Sequence, residues 1–322
     1  MAVILQTVLD LIAQGAQMLL VLAVAPLVLG VTRKVKAQLL RRIGPPLWQP
    51  YIDLWKLLHK EVVLAHNASW LYRAAPYVVF ATTWVGAALV PTYAANLMFS
   101  WSADLIAIVA LLATGRFALA LAGMDVGTAF GGLGSSREMM VASLAEPAML
   151  LVVFSVALIA GTTQLSSIAT IFVNAEIGLR VSLGLALFAL VAVAIAENAR
   201  IPIDNPSTHL ELTMVHEAMV LEYSGRHLAM IEVAAAVKLV FYFSLLACLF
   251  LPFGMATTDQ GGGALAIGLV TYLAKIFVLA ALLPIGETAV AKMRVFRYPV
   301  FLGGAFAAGA LAVFLLFVSR GF

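Results

Sequence analysis

About eight runs of roughly twenty apolar residues, separated by short polar stretches, leave this chain one kind of fold: helices that cross a bilayer. Hydrocarbon offers the backbone no partner, and only a helix bonds every amide within its own segment. The runs lie near residues 3–31, 72–90, 102–123, 139–160, 181–199, 233–252, 262–284 and 299–319. With 63% hydrophobic and 11% charged residues, the expected fold is an all-α integral membrane protein, a single polytopic domain over residues 1–322. The first run has no basic residues ahead of it and is too long for the apolar part of a signal peptide, so it reads as the first span.

The basic residues sort by side. Arg33, Lys34, Lys36, Arg41, Arg42, Lys56, Lys60 and Arg73 follow span 1, Arg137 follows span 3, Arg200 and Arg226 follow span 5, and Lys292, Arg294 and Arg297 follow span 7. Only Arg180 and Arg320 fall on the other side. The positive-inside rule then makes 32–71, 124–138, 200–232 and 285–298 cytoplasmic loops and puts both termini on the periplasmic or equivalent outer side. Membrane sidedness accounts for the basic residues, so nucleic acid is not an expected partner. In the first loop Leu47, Tyr51, Leu54, Trp55 and Leu58 recur at helical spacing, with Asp53, Lys56 and Lys60 on another face after Pro45 and Pro46. That pattern predicts an amphipathic cytoplasmic surface helix lying on the membrane or under a partner. The chain shows no internal repeat and no matching pair of broken spans, which weighs against a solitary transporter.

Ionisable residues among so much apolar sequence are the functional candidates, because membrane charges face cavities or partners. The single cysteine, Cys248, cannot build an iron–sulfur cluster, a disulfide or a four-ligand zinc site, so no cofactor is expected on this chain. Glu146 sits about two turns into span 4, where it needs water, a base or a proton. Glu197 ends span 5, and Arg200 at i+3 suggests a helix-end ion pair before Pro202 stops the helix. Beyond it Asp204, Glu211, Glu217 and Glu222 continue the acidic series through a stretch too apolar for a solvated loop; Glu211, Val215 and Glu222 share one helical face. His209 and His216 are two helical turns apart, too far to share one ion unaided, so no metal site is expected. Within spans, Lys275 must pair or titrate, Lys238 is expected to snorkel to the interface, and Arg116 has no partner that the sequence reveals. GTAFGGLGSSRE at 127–138 lacks the lysine of a phosphate loop and reads as a flexible cytoplasmic loop, with Ser135 or Ser136 capping span 4.

Four stretches in order, RRIGPPLWQPYIDLWKLLHKE at 41–61, GSSREMMVASLAEP at 134–147, the Glu197, Arg200, Pro202 and Asp204 pattern, and Glu222-Tyr223-Ser224-Gly225, together resemble the heel subunit shared by respiratory complex I and group 4 membrane-bound hydrogenases. The short Gly44-Pro45-Pro46-Leu47-Trp48-Gln49 loop is more similar to the formate hydrogenlyase and hydrogenase-4 branch. One departure stands out: Ser207 and His209 replace the first two acids of the family's E-x-E-x-E run, and only Glu211 remains.

The resemblance implies a multi-pass subunit of a bacterial or archaeal cytoplasmic (inner) membrane, part of a redox-driven proton-translocating complex. It implies proton-transfer roles for Glu146, Glu197, Asp204, Glu211 and Glu222, to which the residue reading adds Glu217 and Lys275. Arg41, Arg42, Lys56, Lys60, Arg137 and Arg200 are the basic residues expected to dock a hydrophilic arm. The implied partners are hydrogenase-like large and small subunits, iron–sulfur subunits and antiporter-like membrane subunits; clusters, and in hydrogenase members a nickel–iron centre, belong to those partners. A quinone-site subunit of a complex I-type NADH:quinone oxidoreductase is the alternative.

Overall fold

The computed structural model describes residues 2–174, 181–204, 214–257, 262–294 and 297–320; Ser207, His209 and Glu211 lie outside them. The long helices are α1 (Ala2–Leu39), α3 (Trp70–Leu89), α4 (Leu105–Asp125), α5 (Ala129–Ala160), α7 (Val181–Glu197), α9 (Gly225–Phe250), α10 (Gly262–Ala289) and α11 (Tyr298–Arg320). Shorter ones are α2 (Gln49–His59), α6 (Leu165–Asn174) and α8 (His216–Val220). The long helices coincide with the apolar runs. Six of them are long and apolar enough to cross a membrane, α7 is a shorter apolar helix of 17 residues, and α3 is less apolar because Arg73 and two tyrosines sit in its first half. The number eight is therefore approximate, and the all-α membrane class holds.

The axis of the bundle is α9. In its most apolar window 78% of the residues are buried, against 22% for α10, so α9 is enclosed by protein and α10 lies at the rim. Around it stand α1, α3, α7 and α10, while α4, α5 and α11 form a second layer built on α5. Side-chain caps set several helix starts: Asp104 accepts from Ile106 N at 2.7 Å, Ser69 from Leu71 N at 3.1 Å and Thr128 from Gly131 N at 3.2 Å.

The Thr128 cap corrects the reading of 127–138. This glycine-rich stretch is the first part of α5, which starts at Ala129, and Ser135 is an interior residue donating to the Ala120 carbonyl at 2.8 Å. Its glycines serve close packing. A Cβ on Gly131 would run into the Gly123 carbonyl, and one on Gly134 would come within 2.9 Å of Ala218 Cβ and the Val215 carbonyl. Small residues that let membrane helices approach carry no loop signal of their own. The early start also puts Glu146 about 26 Å along α5, 17 residues from Ala129, deeper than a helix starting near 139 would.

The surface helix is present as α2, opening at Gln49 with Pro50 in its first turn. Its expected apolar face divides between this chain and the outside. Tyr51 donates its hydroxyl to the Ala23 carbonyl of α1 and Leu54 is half-buried, whereas Trp55 is 66% and Leu58 54% exposed. The reciprocal bonds of Ser224 Oγ with Val63 N (2.8 Å) and Val63 O (2.9 Å) fasten the segment after α2 to the start of α9.

Gly131→Val should destabilise the α4–α5 contact by about 1–3 kcal/mol, the usual cost of overpacking. A detergent thermal melt should show a lower midpoint than wild type, with Gly132→Val, where a Cβ meets nothing within 4 Å, as the neutral control.

Candidate functional site

Alternating helix direction gathers the C-terminal ends of α1, α4, α7 and α10 and the N-terminal ends of α5 and α9 at one end of the bundle. There they enclose a cavity of about 590 Å³. Its charged lining includes the buried Arg116, Glu197, Asp204 and Glu287 together with Lys238 and Arg200, and Arg33, Lys36, Arg42, Glu138, Glu217 and Glu232 complete it.

Three ion-pair clusters line it. In the first, Glu197 is buried at the end of α7 and contacts Arg116 Nη2 on α4, with Lys238 Nζ on α9 2.9 Å from its other oxygen. Arg116 Nη1 in turn lies 3.4 Å from Glu146 Oε1 on α5. In the second, Glu287 of α10 accepts from Lys36 Nζ of α1 at 2.7 Å and lies 3.6 Å from Arg200 Nη1. In the third, Asp204 accepts from Lys292 Nζ at 3.0 Å and from Val215 N at 3.2 Å, which ties the segment before α8 to the one after α10. Burial pulls the Arg200 guanidinium below its ordinary value and Arg33 adds to that, while Glu287 opposes it. Tyr223, stacked on Tyr72 with ring centroids 4.0 Å apart, has its phenol pushed up chiefly by burial, then by Tyr72 and Asp125.

Several sequence expectations are redrawn by this geometry. Glu197 pairs with Arg116 and Lys238, not with Arg200, because Ala199 adopts a positive φ of 48° beyond the helix and Arg200 turns toward α10. Lys238 is drawn inward by a carboxylate and does not snorkel. Arg116 has two partners.

Of the proposed proton-transfer residues, Glu197, Asp204 and Glu217 line the cavity and Glu146 touches it only through Arg116. Glu222 is exposed in the turn after α8. Val215 and Glu222 do not share a helix, since α8 covers only His216–Val220, and Glu211 lies outside the described residues. Lys275 is elsewhere: its ammonium donates to the carbonyls of Leu251 (2.6 Å) and Phe253 and lies 4.2 Å from the Phe253 ring centroid, capping the C-terminal end of α9.

Among the basic candidates Arg41, Arg42, Lys56 and Lys60 are exposed. Arg137 and Arg200 turn inward instead, Arg137 donating to the Met214 carbonyl at 2.8 Å, because each has a buried acceptor within reach. Glu287 is the site residue that sequence reasoning missed. Counting span 7 as ending at Pro284 put it in a loop, yet α10 runs on to Ala289, and a lone acid amid VLAALLPIGETAVA carries the same signal that singled out Glu146.

Comparison with known proteins agrees with this architecture. The family model described as NADH dehydrogenase matches residues 13–318. Hydrogenase-4 component C of Escherichia coli (strain K12) is 33% identical over 304 residues, covering 93% of this chain and 94% of the relative. Formate hydrogenlyase subunit 4 of the same strain is 32% identical over 305 residues, 94% and 96% of the two chains. A chain of the membrane-bound sulfane sulfur reductase, an archaeal respiratory membrane complex, superposes with a TM-score of 0.77 at 21% identity over 94% of this chain and 99% of its own, a likeness of fold.

Two substitutions separate the charged cavity from the far cap. Glu287→Ala, which strands the largely buried Lys36 and Arg200, should cost about 3–5 kcal/mol, while Lys275→Met, which strands two carbonyls, should cost about 1–3 kcal/mol. Thermal stability of the purified variants checks both, and the larger fall belongs to Glu287→Ala.

Proposed function

The chain belongs to the NADH dehydrogenase family, and from that membership we propose that it is the membrane subunit of a multisubunit redox-driven, proton-translocating complex of the group 4 hydrogenase or formate hydrogenlyase type. The observation that carries the reading is the cavity itself. Three buried carboxylates, Glu197 at the end of α7, Asp204 in the segment after it and Glu287 on α10, face one chamber walled by apolar helices, and such charges in a bilayer protein serve ion pathways. About 590 Å³ is ample for a chain of waters at roughly 30 Å³ each. The two E. coli relatives, matched almost end to end, are named as a component and a subunit, which supports a role inside an assembly.

In this reading Glu197, Asp204 and Glu217 take up protons from the cavity, and Glu146 carries them on. The cavity end faces the cytoplasm of a bacterial or archaeal cell, with both termini on the outer side. Arg41, Arg42, Lys56 and Lys60, exposed at that end, form the basic surface that seats the hydrophilic arm. Partners are hydrogenase-like large and small subunits, iron–sulfur subunits and antiporter-like membrane subunits. Those partners hold the iron–sulfur clusters and the nickel–iron centre; this chain contributes binding, orientation and proton transfer.

Purification in mild detergent, with mass spectrometry of what accompanies the chain and nickel and iron analysis, should recover redox subunits carrying both metals. In sealed vesicles the Glu146→Gln complex should assemble and still transfer electrons to an artificial acceptor, yet move few protons. Recovery of the chain alone, or wild-type pumping by the variant, would overturn the reading.

A further inference from the structure

Arg116 is the one described cation that contacts two carboxylates on different sides of a wall. Glu197, on one side, lines the cavity; Glu146 of α5, on the other, is absent from its lining and its side chain is 38% exposed. The Arg116 side chain is only 6% exposed and fills the gap between them, one guanidinium nitrogen toward each acid. Its Nε has no hydrogen-bond partner among the described residues, so the two carboxylates are the ion-pair partners that orient the guanidinium. A Cβ on neighbouring Gly115 would come 2.5 Å from Thr82 Oγ1, which shows how closely α3 backs the arginine's own helix. Lys238 completes the group from the far side of Glu197, so two acids face two cations. Glu138 and Tyr242 are the other titratable groups whose fields reach Arg116.

We propose that Arg116 is a charge valve between the cavity and the Glu146 carboxylate: shared by Glu197 and Glu146, it lets only one of them hold a proton at a time. This inference rests on the proton-translocating reading above. A carboxylate contacted by two cations is a poor proton acceptor. For Glu197 to take a proton from cavity water, the guanidinium must leave it, and the existing 3.4 Å contact to Glu146 gives it a nearby place to go. Arg116 then holds Glu146 ionised. When Glu146 in turn takes the proton, Arg116 returns to Glu197 and pairs with its vacated carboxylate, which blocks back-flow. Each step moves one proton between carboxylate oxygens and shifts one side chain, with no bond to carbon made or broken. The fork of a guanidinium suits this, since it can hold both acids midway, whereas an ammonium is a point charge. Arg116 is thus a positioning residue for the relay.

Two variants in the assembled complex test it. Arg116→Gln should raise passive proton leak across resting vesicles on the order of tenfold, a factor equal to about 1.4 kcal/mol of barrier, and adding Glu146→Gln should remove that leak. Infrared difference spectra of the resting complex should show a protonated-carboxyl band in Arg116→Gln that vanishes in Arg116→Gln/Glu197→Gln. Arg116→Lys keeps the charge and so guards against failure to fold; it should suppress the band and the leak yet lower protons moved per electron several-fold, because a lysine cannot bridge the pair. A tight Arg116→Gln complex without the new band, or normal proton stoichiometry in Arg116→Lys, would overturn the valve. The band and the leak are read without turnover, so a wild-type complex that moved no protons would count against the proposed function alone, leaving Arg116 to be judged by the other two readings.

Discussion

The organisation of the bundle depends on how Glu197 is kept in apolar surroundings. A carboxylate with its side chain 2% exposed would cost several kcal/mol if left alone. It is held by cations from two other helices, Arg116 on α4 and Lys238 on α9, so the end of α7 is tied to both layers of the bundle. With Glu146 the group balances two negative against two positive charges and adds no net charge to the hydrocarbon region. That neutrality lets a charged cluster sit among helices whose surrounding core is largely apolar.

Glu287 applies the same constraint to the loops. It is reached by Lys36 from the last turns of α1 and by Arg200 from beyond α7, while Lys292, five residues further on, pairs with Asp204. The chain after α7 is thereby fixed at two points against the end of α10. Arg137 adds a third through the Met214 carbonyl, at the other side of the 205–213 stretch. These ion pairs join segments far apart in sequence at the cavity mouth, beside a small hydrophobic cluster of Val141, Ala145, Ala196, Ile203, Val215, Tyr298 and Leu302.

What the sequence made legible follows from which forces act locally. Apolar runs pick out each long helix, because hydrocarbon thickness demands that length irrespective of neighbours, but α1, α5 and α9 run eight to ten residues past the apolar run at their cavity ends, where the sequence turns polar or glycine-rich. Glu146, Glu197 and Asp204 stand out since each is an acid where an acid is costly. The pairing of those acids was not legible, because Arg116, Lys238 and Lys292 reach them across distances in sequence that no local pattern encodes. Positions 127–138 were misread for a related reason: Gly131 and Gly134 are needed by helix–helix approach, and glycine read locally signals a loop. Lys275 shows the converse case, a mid-span charge whose partners are backbone carbonyls at a helix end, which residue-type reasoning does not weigh.

The two ends of the bundle are built differently, and that asymmetry bears on any route through it. At the end away from the cavity, Gln14 and Gln17 donate to the Ala88 carbonyl and Gln17 also to that of Val90, Asp104 caps α4, and Ala94–Ala95 pairs with Ala256–Thr257. Asp104 and Lys275 are the charged groups described at this end, and each is held by backbone or hydroxyl partners, whereas the cavity end pairs acids with bases across helices. Across Arg116 from Glu197 stands Glu146, whose side chain is 38% exposed and outside the cavity lining. In the proposed relay the step between the two acids turns on a single guanidinium, so the route depends on how α4 holds Arg116 between α5 and α7.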